Sequence, residues 1–367
     1  MSGSFSVGRA FGIDIRVHWT FVLLPVFFAF YNYQNTGSLV AALVAVVVIL
    51  ALFVCVLLHE FGHSLVAQRL GLEVPDITLL PIGGLARLKA LPDKPFDEVK
   101  IAIAGPLVNV VLAPIFFAVA FLLGTDQLVN VLERGGSLGQ VFFFLSLINI
   151  FLAVFNLIPA FPMDGGRVLR GLLATRVGPV RATDIASAVG QFFAFIFFVF
   201  GLLSGNLLLA LIAVFIFFGA SGESQIVRQR EVMRGLAVSD VMGTKRRTET
   251  VTPYHNFGQV LDSVIHGYQE DFPVVDESGR LLGMVTRNEI LAAAHSSNRY
   301  STVRELMKTE IPTISPHDDL FADGYRTLQE SGLRALPVVE SGELVGMLTV
   351  EDVAQASLLR DLRKQQF

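Results

Sequence analysis

Charge is scarce in this 367-residue chain: 16% of its residues are Asp, Glu, Lys or Arg, against about 25% in typical soluble domains. The shortage is concentrated between residues 17 and 222, which hold long apolar runs. Residues 223–367 read as ordinary soluble sequence. Cysteine is nearly absent. The single Cys55 lies within an apolar run, so an intramolecular disulfide and a Cys-rich zinc site are both excluded. An excess of basic residues is missing too: the formal net charge is -4, which argues against a dominant nucleic-acid role. The first residues, MSGSFSVGRAFGIDIRVHW, lack an early apolar core and a small-residue cleavage site. The first hydrophobic run is therefore expected to be retained as a span rather than removed as a signal peptide.

What is abundant is apolar length. A helix crossing a bilayer needs about 20 apolar residues, and six segments qualify: 17–34, 38–68, 100–124, 138–160, 184–204 and 206–222. Only Ser204 to Asn206 separates the last two. Lys and Arg in the connecting loops set the orientation. Arg9 and Arg16 precede the first run, and Arg69, Arg87, Lys89, Lys94 and Lys100 follow the second. Arg167, Arg170, Arg176 and Arg181 follow the fourth, and Arg228, Arg230 and Arg234 follow the sixth. The alternate loops are bare apart from Arg134. The expectation is a polytopic α-helical membrane protein of about six spans, residues 1–222. It is followed by a linker at 223–237 and a soluble α/β half, with both termini and the soluble half cytoplasmic.

Inside the second run stands LLHEFGHSLV, Leu57 to Val66. Ionisable residues at membrane depth are expensive and usually functional. His59 and His63 are four apart and share a helix face. The H-E-x-x-H pattern binds zinc through two imidazoles, with the glutamate, here Glu60, as general base toward a metal-bound water. A third protein ligand is then needed. His59 lies about 30 Å along its span, and the fourth span, running in the same direction, ends in NLIPAFPMDGGRVL, Asn156 to Leu169. Asp164 therefore falls at matching depth, either as the third ligand or as part of a helix-terminating turn. Irregular backbone around Pro159, Pro162, Gly165 and Gly166 is tolerated at that depth only where protein buries it or a cavity adjoins it.

These motifs, in this order, resemble the site-2 protease family of intramembrane zinc metalloproteases, in its compact six-span branch. AGPLVN (Ala104 to Asn109) looks like the family's G-P-x-x-N element, and PIGGLARL (Pro81 to Leu88) like its glycine-containing, membrane-associated β segment. The resemblance covers about residues 1–225. It implies His59, His63 and Asp164 as ligands of one zinc ion and Glu60 as the base. Asn156 resembles the asparagine that holds the substrate backbone or stabilises the oxyanion. Asn109, Gly83 and Gly84 are grouped with it on the substrate side, Asn109 also supporting the packing of the active-site helices. His18 either approaches the site or lies at the interface beside Trp19. A peptide must be unwound to expose its carbonyls, so the 74–90 stretch is expected to form a hairpin whose edge pairs with substrate.

The soluble half repeats. VSDVM (238–242) recurs as VRELM (303–307), and DFPVVDESGRLLGMVTRNEI recurs as RALPVVESGELVGMLTVEDV. Each copy reads as a helix, two strands joined by a glycine-containing turn, and a helix beginning at threonine. The pattern resembles a tandem pair of CBS domains, at 238–295 and 300–358. CBS pairs often bind adenine nucleotides (ATP, ADP or AMP), which implies Thr286 with Glu289 and Thr349 with Asp352 as contacts; a purely structural or dimerising pair is the other reading. Glu289 stands where the pattern has aspartate, which weakens the first site.

The function expected is an intramembrane zinc endopeptidase of regulated proteolysis in the cell membrane. Its partner would be a single-span membrane protein: an anti-sigma factor, a membrane-tethered regulator or a signal-peptide remnant. The alternative is a CBS-regulated channel or transporter with its His, Glu and Asp along an ion path. Such a path does not require H-E-x-x-H on one helix with a D-G-G partner at equal depth.

Overall fold

The computed structural model describes residues 3–88, 92, 94–124, 137–242, 248–267, 269–295 and 301–356. Lys89 and Arg134 of the loop-charge pattern, and the end of the expected 74–90 hairpin, lie outside them. The chain divides into two compact units, residues 1–227 and 228–367.

The first unit opens with a hairpin, β1 (Ser4–Ala10) and β2 (Ile13–His18). A short 3₁₀ turn (Trp19–Val22) then leads to α1 (Leu23–Thr36). The first apolar run therefore departs from a single helix over 17–34. Its first residues finish a strand paired on both sides, because a short apolar stretch satisfies strand and helix alike and pairing decides between them. Among the described residues five helices are long and apolar enough to cross a membrane, one fewer than the six apolar runs, because α1 at 14 residues is too short to be counted with them. They are α2 (Leu39–Arg69), α3 (Pro95–Leu122), α4 (Leu138–Asn156), α6 (Pro179–Leu203) and α7 (Leu207–Met233), with the shorter α5 (Asp164–Val177) between α4 and α6.

Local chemistry sets these boundaries. Ser38 caps α2 by accepting from the Ala41 amide at 3.3 Å. Pro95 occupies the first position of α3, where a missing N–H costs nothing. Ser137 and Gln140 form a capping box at the start of α4. At 31 residues, α2 is about 46 Å long, enough to cross a bilayer and carry its H-E-x-x-H turn near the far end.

A four-stranded sheet packs beside α2 in the order β1-β2-β3-β4, with β3 at Asp76–Leu80 and β4 at Gly83–Ala86. β2 and β3 run parallel; the other pairs are antiparallel. Ile13 and Ile77 are fully buried against Phe61 and Ala67 of α2 and Ile101 of α3. Leu79 joins Phe21, Ile49 and Phe53 in a second cluster. The sheet is thus anchored on the helix that carries the histidines.

The second unit reproduces its repeat down to the irregularities. β5 (Phe272–Val275) pairs with β6 (Leu281–Val285), and β7 (Ala335–Glu340) with β8 (Glu343–Thr349), all antiparallel. The register slips at Val274/Val275 in one copy and at Val338/Val339 in the other. α8 (Phe257–His266) precedes the first pair and α9 (Arg287–His295) follows it. Residues 350–356 form the equivalent helix of the second copy. The leading motifs are exchanged. Val303, of VRELM, is buried with Phe257, Phe272 and Val285 of the first copy. Val238, of VSDVM, is buried with Leu320, Leu336 and Leu348 of the second.

Candidate metal centre

One helical turn separates His59 and His63, so both rings project from the same face of α2. Asp164 is the first residue of α5. The segment before it is held by close backbone packing. Phe161 is fully buried and its amide donates to Ala186 O at 3.3 Å. A Cβ on Gly165 would strike the carbonyl oxygens of Leu157 and Ile158, so glycine lets the chain fold back tightly between α4 and α5. Asp164 also gains from the positive end of the helix it begins.

The result is a compact triad. His59 Nε2 and His63 Nε2 lie 3.0 Å apart, and each is 3.2 Å from Asp164 Oδ2. This is the group of three ligand-type side chains found among the described residues. The opposite ring nitrogens are occupied. His63 Nδ1 is 2.7 Å from Ile101 O, which can only accept. His59 Nδ1 bonds Asn109 Oδ1, while Asn109 Nδ2 donates to Asn149 Oδ1 at 2.8 Å. Asn149 in turn donates to Leu145 O at 2.8 Å and approaches Cys55 Sγ at 3.4 Å. In their neutral form imidazoles that donate at Nδ1 carry their lone pair on Nε2. In that form both lone pairs face the same Asp164 oxygen.

That donor set fits zinc. Tetrahedral ligands bonded at about 2.0–2.2 Å stand roughly 3.3 Å from one another, close to the separations found. The tautomers are those that partners on the far ring nitrogen impose in metal sites. Space is reserved for the pair by Gly105 of α3. A Cβ there would fall 2.8 Å from His59 Nε2 and closer still to His63 Nε2.

Glu60, between the ligands in sequence, turns toward β4. A Cβ on Gly84 would collide with its Cγ and stand 3.0 Å from Cδ and 3.1 Å from Oε1. Gly83 has φ +141 with open space at its Cβ position, a conformation available to glycine. β4 closes the sheet, so its outer edge has no strand partner among the described residues.

The remaining expected residues fall as follows. Asn109 is fully buried and both ends of its amide are engaged, with His59 and with Asn149, contacts that support the packing of the active-site helices. Asn156 closes α4 and donates from Nδ2 to Leu152 O at 3.0 Å. His18 bonds Thr20 Oγ1 at 2.7 Å and lies outside the triad. In the second unit each threonine is capped by its own acid. Thr286 bonds Glu289, which also meets Lys308 Nζ at 2.6 Å. Thr349 donates from N and Oγ1 to Asp352 Oδ2 at 3.0 and 2.7 Å. The sequence alone assigns no role to Asn149, to the Ile101 carbonyl or to Gly105. Gly105 is marked there as the glycine of the AGPLVN element and Asn149 as an amide within an apolar run, while the Ile101 carbonyl leaves no mark.

The pattern of peptidase family M50 matches residues 47–138 and 128–197. That of the CBS domain matches 238–296 and 303–359. Zinc metalloprotease MJ0392 of Methanocaldococcus jannaschii is 33% identical over 365 residues, covering 100% of this chain and 99% of its own. Rip3 of Mycobacterium tuberculosis is 28% identical, covering 97% of this chain and 93% of its own. The solved structure of the site-2 protease from Methanocaldococcus jannaschii is 39% identical, covering 60% of this chain and 95% of its own at a TM-score of 0.46. With a relative this similar matched from end to end, the chain belongs to peptidase family M50, and it is a multi-pass membrane zinc metalloprotease of the site-2 type that carries a tandem pair of CBS domains.

Proposed function

We propose that the protein is an intramembrane endopeptidase that cleaves a peptide bond within a membrane-spanning substrate, with His59, His63 and Asp164 holding zinc and Glu60 as the base. The observation that carries this reading is the convergence of two imidazole nitrogens and a carboxylate oxygen beside a second carboxylate, Glu60, packed under the backbone of β4, a strand with no outer partner among the described residues. Zinc, when bound, supplies Lewis acidity, making a water acidic and a peptide carbonyl electrophilic. Glu60 takes the proton of the attacking water and returns it to the leaving amine. Asn109 and the Ile101 carbonyl keep the proton of each imidazole on Nδ1, so that Nε2 stays a donor of electrons. Asn156 retains one amide hydrogen beyond its bond to Leu152 O, free for a developing oxyanion. Gly83 and Gly84 have no side chains, so an extended substrate strand can add to the edge of β4 and present its carbonyl. Proline scanning of residues 77–89 tests that pairing, and cleavage unchanged throughout would refute it.

The loop charges support cytoplasmic termini and CBS domains, in a chain read as 1–222 protease, 223–237 linker, and CBS domains at 238–295 and 300–358. The substrate class is a single-span protein: an anti-sigma factor, a membrane-tethered regulator or a signal-peptide remnant. The deciding experiment is Glu60→Gln. It should abolish cleavage of a reconstituted membrane substrate while zinc content stays at one per chain; wild-type cleavage would overturn the mechanism.

The CBS pair is read as an adenine-nucleotide sensor and as the site of homodimerisation. Thr349 with Asp352 offers a hydroxyl and a carboxylate at a helix start. Thr286 with Glu289 is the weaker site, since Glu289 is already paired with Lys308. Calorimetry of the whole protein in detergent with AMP, ADP and ATP at millimolar concentration tests this; no heat from any of them refutes it.

A further inference from the structure

The face of α3 that supports the histidines continues one turn toward its N-terminus. Ile101, Gly105 and Asn109 are spaced by four and lie on one stripe. Ile101 fixes His63, Gly105 makes room for both rings, and Asn109 fixes His59. Three residues before Ile101, the same stripe presents Glu98. Its Oε1 accepts from Arg170 Nε at 2.8 Å and also from Arg170 Nη2. Arg170 lies on α5, the helix that begins with Asp164. It is buried, with its guanidinium 5.3 Å above the ring of Phe161. A second carboxylate, Glu223 of α7, stands 3.9 Å from Arg170 Nη1 and accepts from Arg167 Nη2 at 3.1 Å. Two arginines of α5 are thus bracketed by carboxylates from two neighbouring helices.

We propose that Glu98 and Arg170 are positioning residues for Asp164. The two bonds from Arg170 Nε and Nη2 to Glu98 Oε1 set the rotation and depth of α5, so that Asp164 Oδ2 meets both imidazoles, while Glu223 steadies the same helix from its other side. One stripe of α3 then orders all three donors: His59 and His63 by direct bonds, and Asp164 through Arg170. The physical case is the planar fork of arginine, which fixes direction as well as distance. Burial strengthens it, because an unpartnered charge there is strongly unfavourable. The proposal rests on the reading of Asp164 as a zinc ligand.

The test is a cycle of zinc affinities, measured by chelator competition on the full-length protein in detergent. The variants are Asp164→Asn, Glu98→Gln and the two combined, with thermal unfolding followed in parallel. Asp164→Asn should weaken zinc binding at least tenfold. Glu98→Gln, which keeps shape and removes charge, should weaken it about 10- to 100-fold, as for partners of metal ligands. In the Asp164→Asn background Glu98→Gln should have no further effect. If Glu98→Gln weakens zinc equally in both backgrounds, it acts on packing in general and the proposal fails. If it changes nothing while Asp164→Asn does, the proposal fails and the ligand reading stands. If Asp164→Asn leaves affinity unchanged, the ligand reading fails and the proposal with it. Should Glu98→Gln not fold, Glu98→Asp, which shortens the reach to Arg170, is read through the same cycle with the same expectations.

Discussion

Replacing Gly105 by alanine sets helix propensity against the metal centre. Within a helix, alanine is favoured over glycine by about 1 kcal/mol, so local preference alone predicts a small gain in stability. The tertiary structure predicts loss of function. The new methyl group would lie 2.8 Å from His59 Nε2 and 2.5 Å from His63 Cε1, where relaxed contacts are about 3.5–4.0 Å. Each ring must therefore retreat by roughly 1 Å, and a 1 Å misplacement in a catalytic constellation can cost about 10²-fold in rate. Neither ring can retreat freely. His59 is tied to Asn109 and His63 to Ile101 O, both on the helix that carries the methyl group. Zinc content by elemental analysis and cleavage of a reconstituted substrate provide the assay. Gly222→Ala, at a helical position with open space around the added carbon, is the control. Gly105→Ala protein that keeps one zinc per chain and cleaves at wild-type rate would refute the reasoning.

Gly84→Ala should separate base from metal: its methyl group collides with Glu60 and not with the triad, so cleavage should fall by more than tenfold while zinc content, measured on the same preparation, stays normal. Asn109→Ala should lower zinc affinity about 10- to 100-fold. It should also destabilise the first unit by about 1–3 kcal/mol through the loss of the donor to the buried Asn149 Oδ1, read from chelator competition and thermal unfolding. Val303→Ala should loosen the first CBS copy rather than the second: hydrogen exchange should quicken at residues 272–285 and not at 336–348, because Val303 is buried with Phe272 and Val285.

Several features were legible because a short-range rule fixes them. The four-residue spacing of His59 and His63 puts both on one helix face whatever surrounds them. The internal repeat of residues 238–357 was visible by self-comparison, and its strand registers follow at equivalent positions. Asp164 was reachable by matching depths along two spans, since rise per residue converts sequence position into height. Other features had no such rule. Every residue carries a carbonyl, so nothing marks Ile101 as the partner of His63. The type and motif of Asn109 leave both a substrate-side and a packing role open, because neither says which way its amide points. The residues of 17–22 are apolar enough for a span, yet the pairing of β2 with β1 and β3 takes part of the run into a sheet.

The sequence by itself determined the membrane half, the tandem soluble half and the residue types of a zinc site, because hydrophobic length, repetition and local spacing are properties of the chain. Only the tertiary structure decided how that site is held. A single face of α3 orients both histidines, two glycines clear space for them and for Glu60, and each leading motif of the repeat packs into the other copy. These are contacts between elements far apart in sequence. They depend on which helix faces which, and that is settled only when the elements compete for the same buried space.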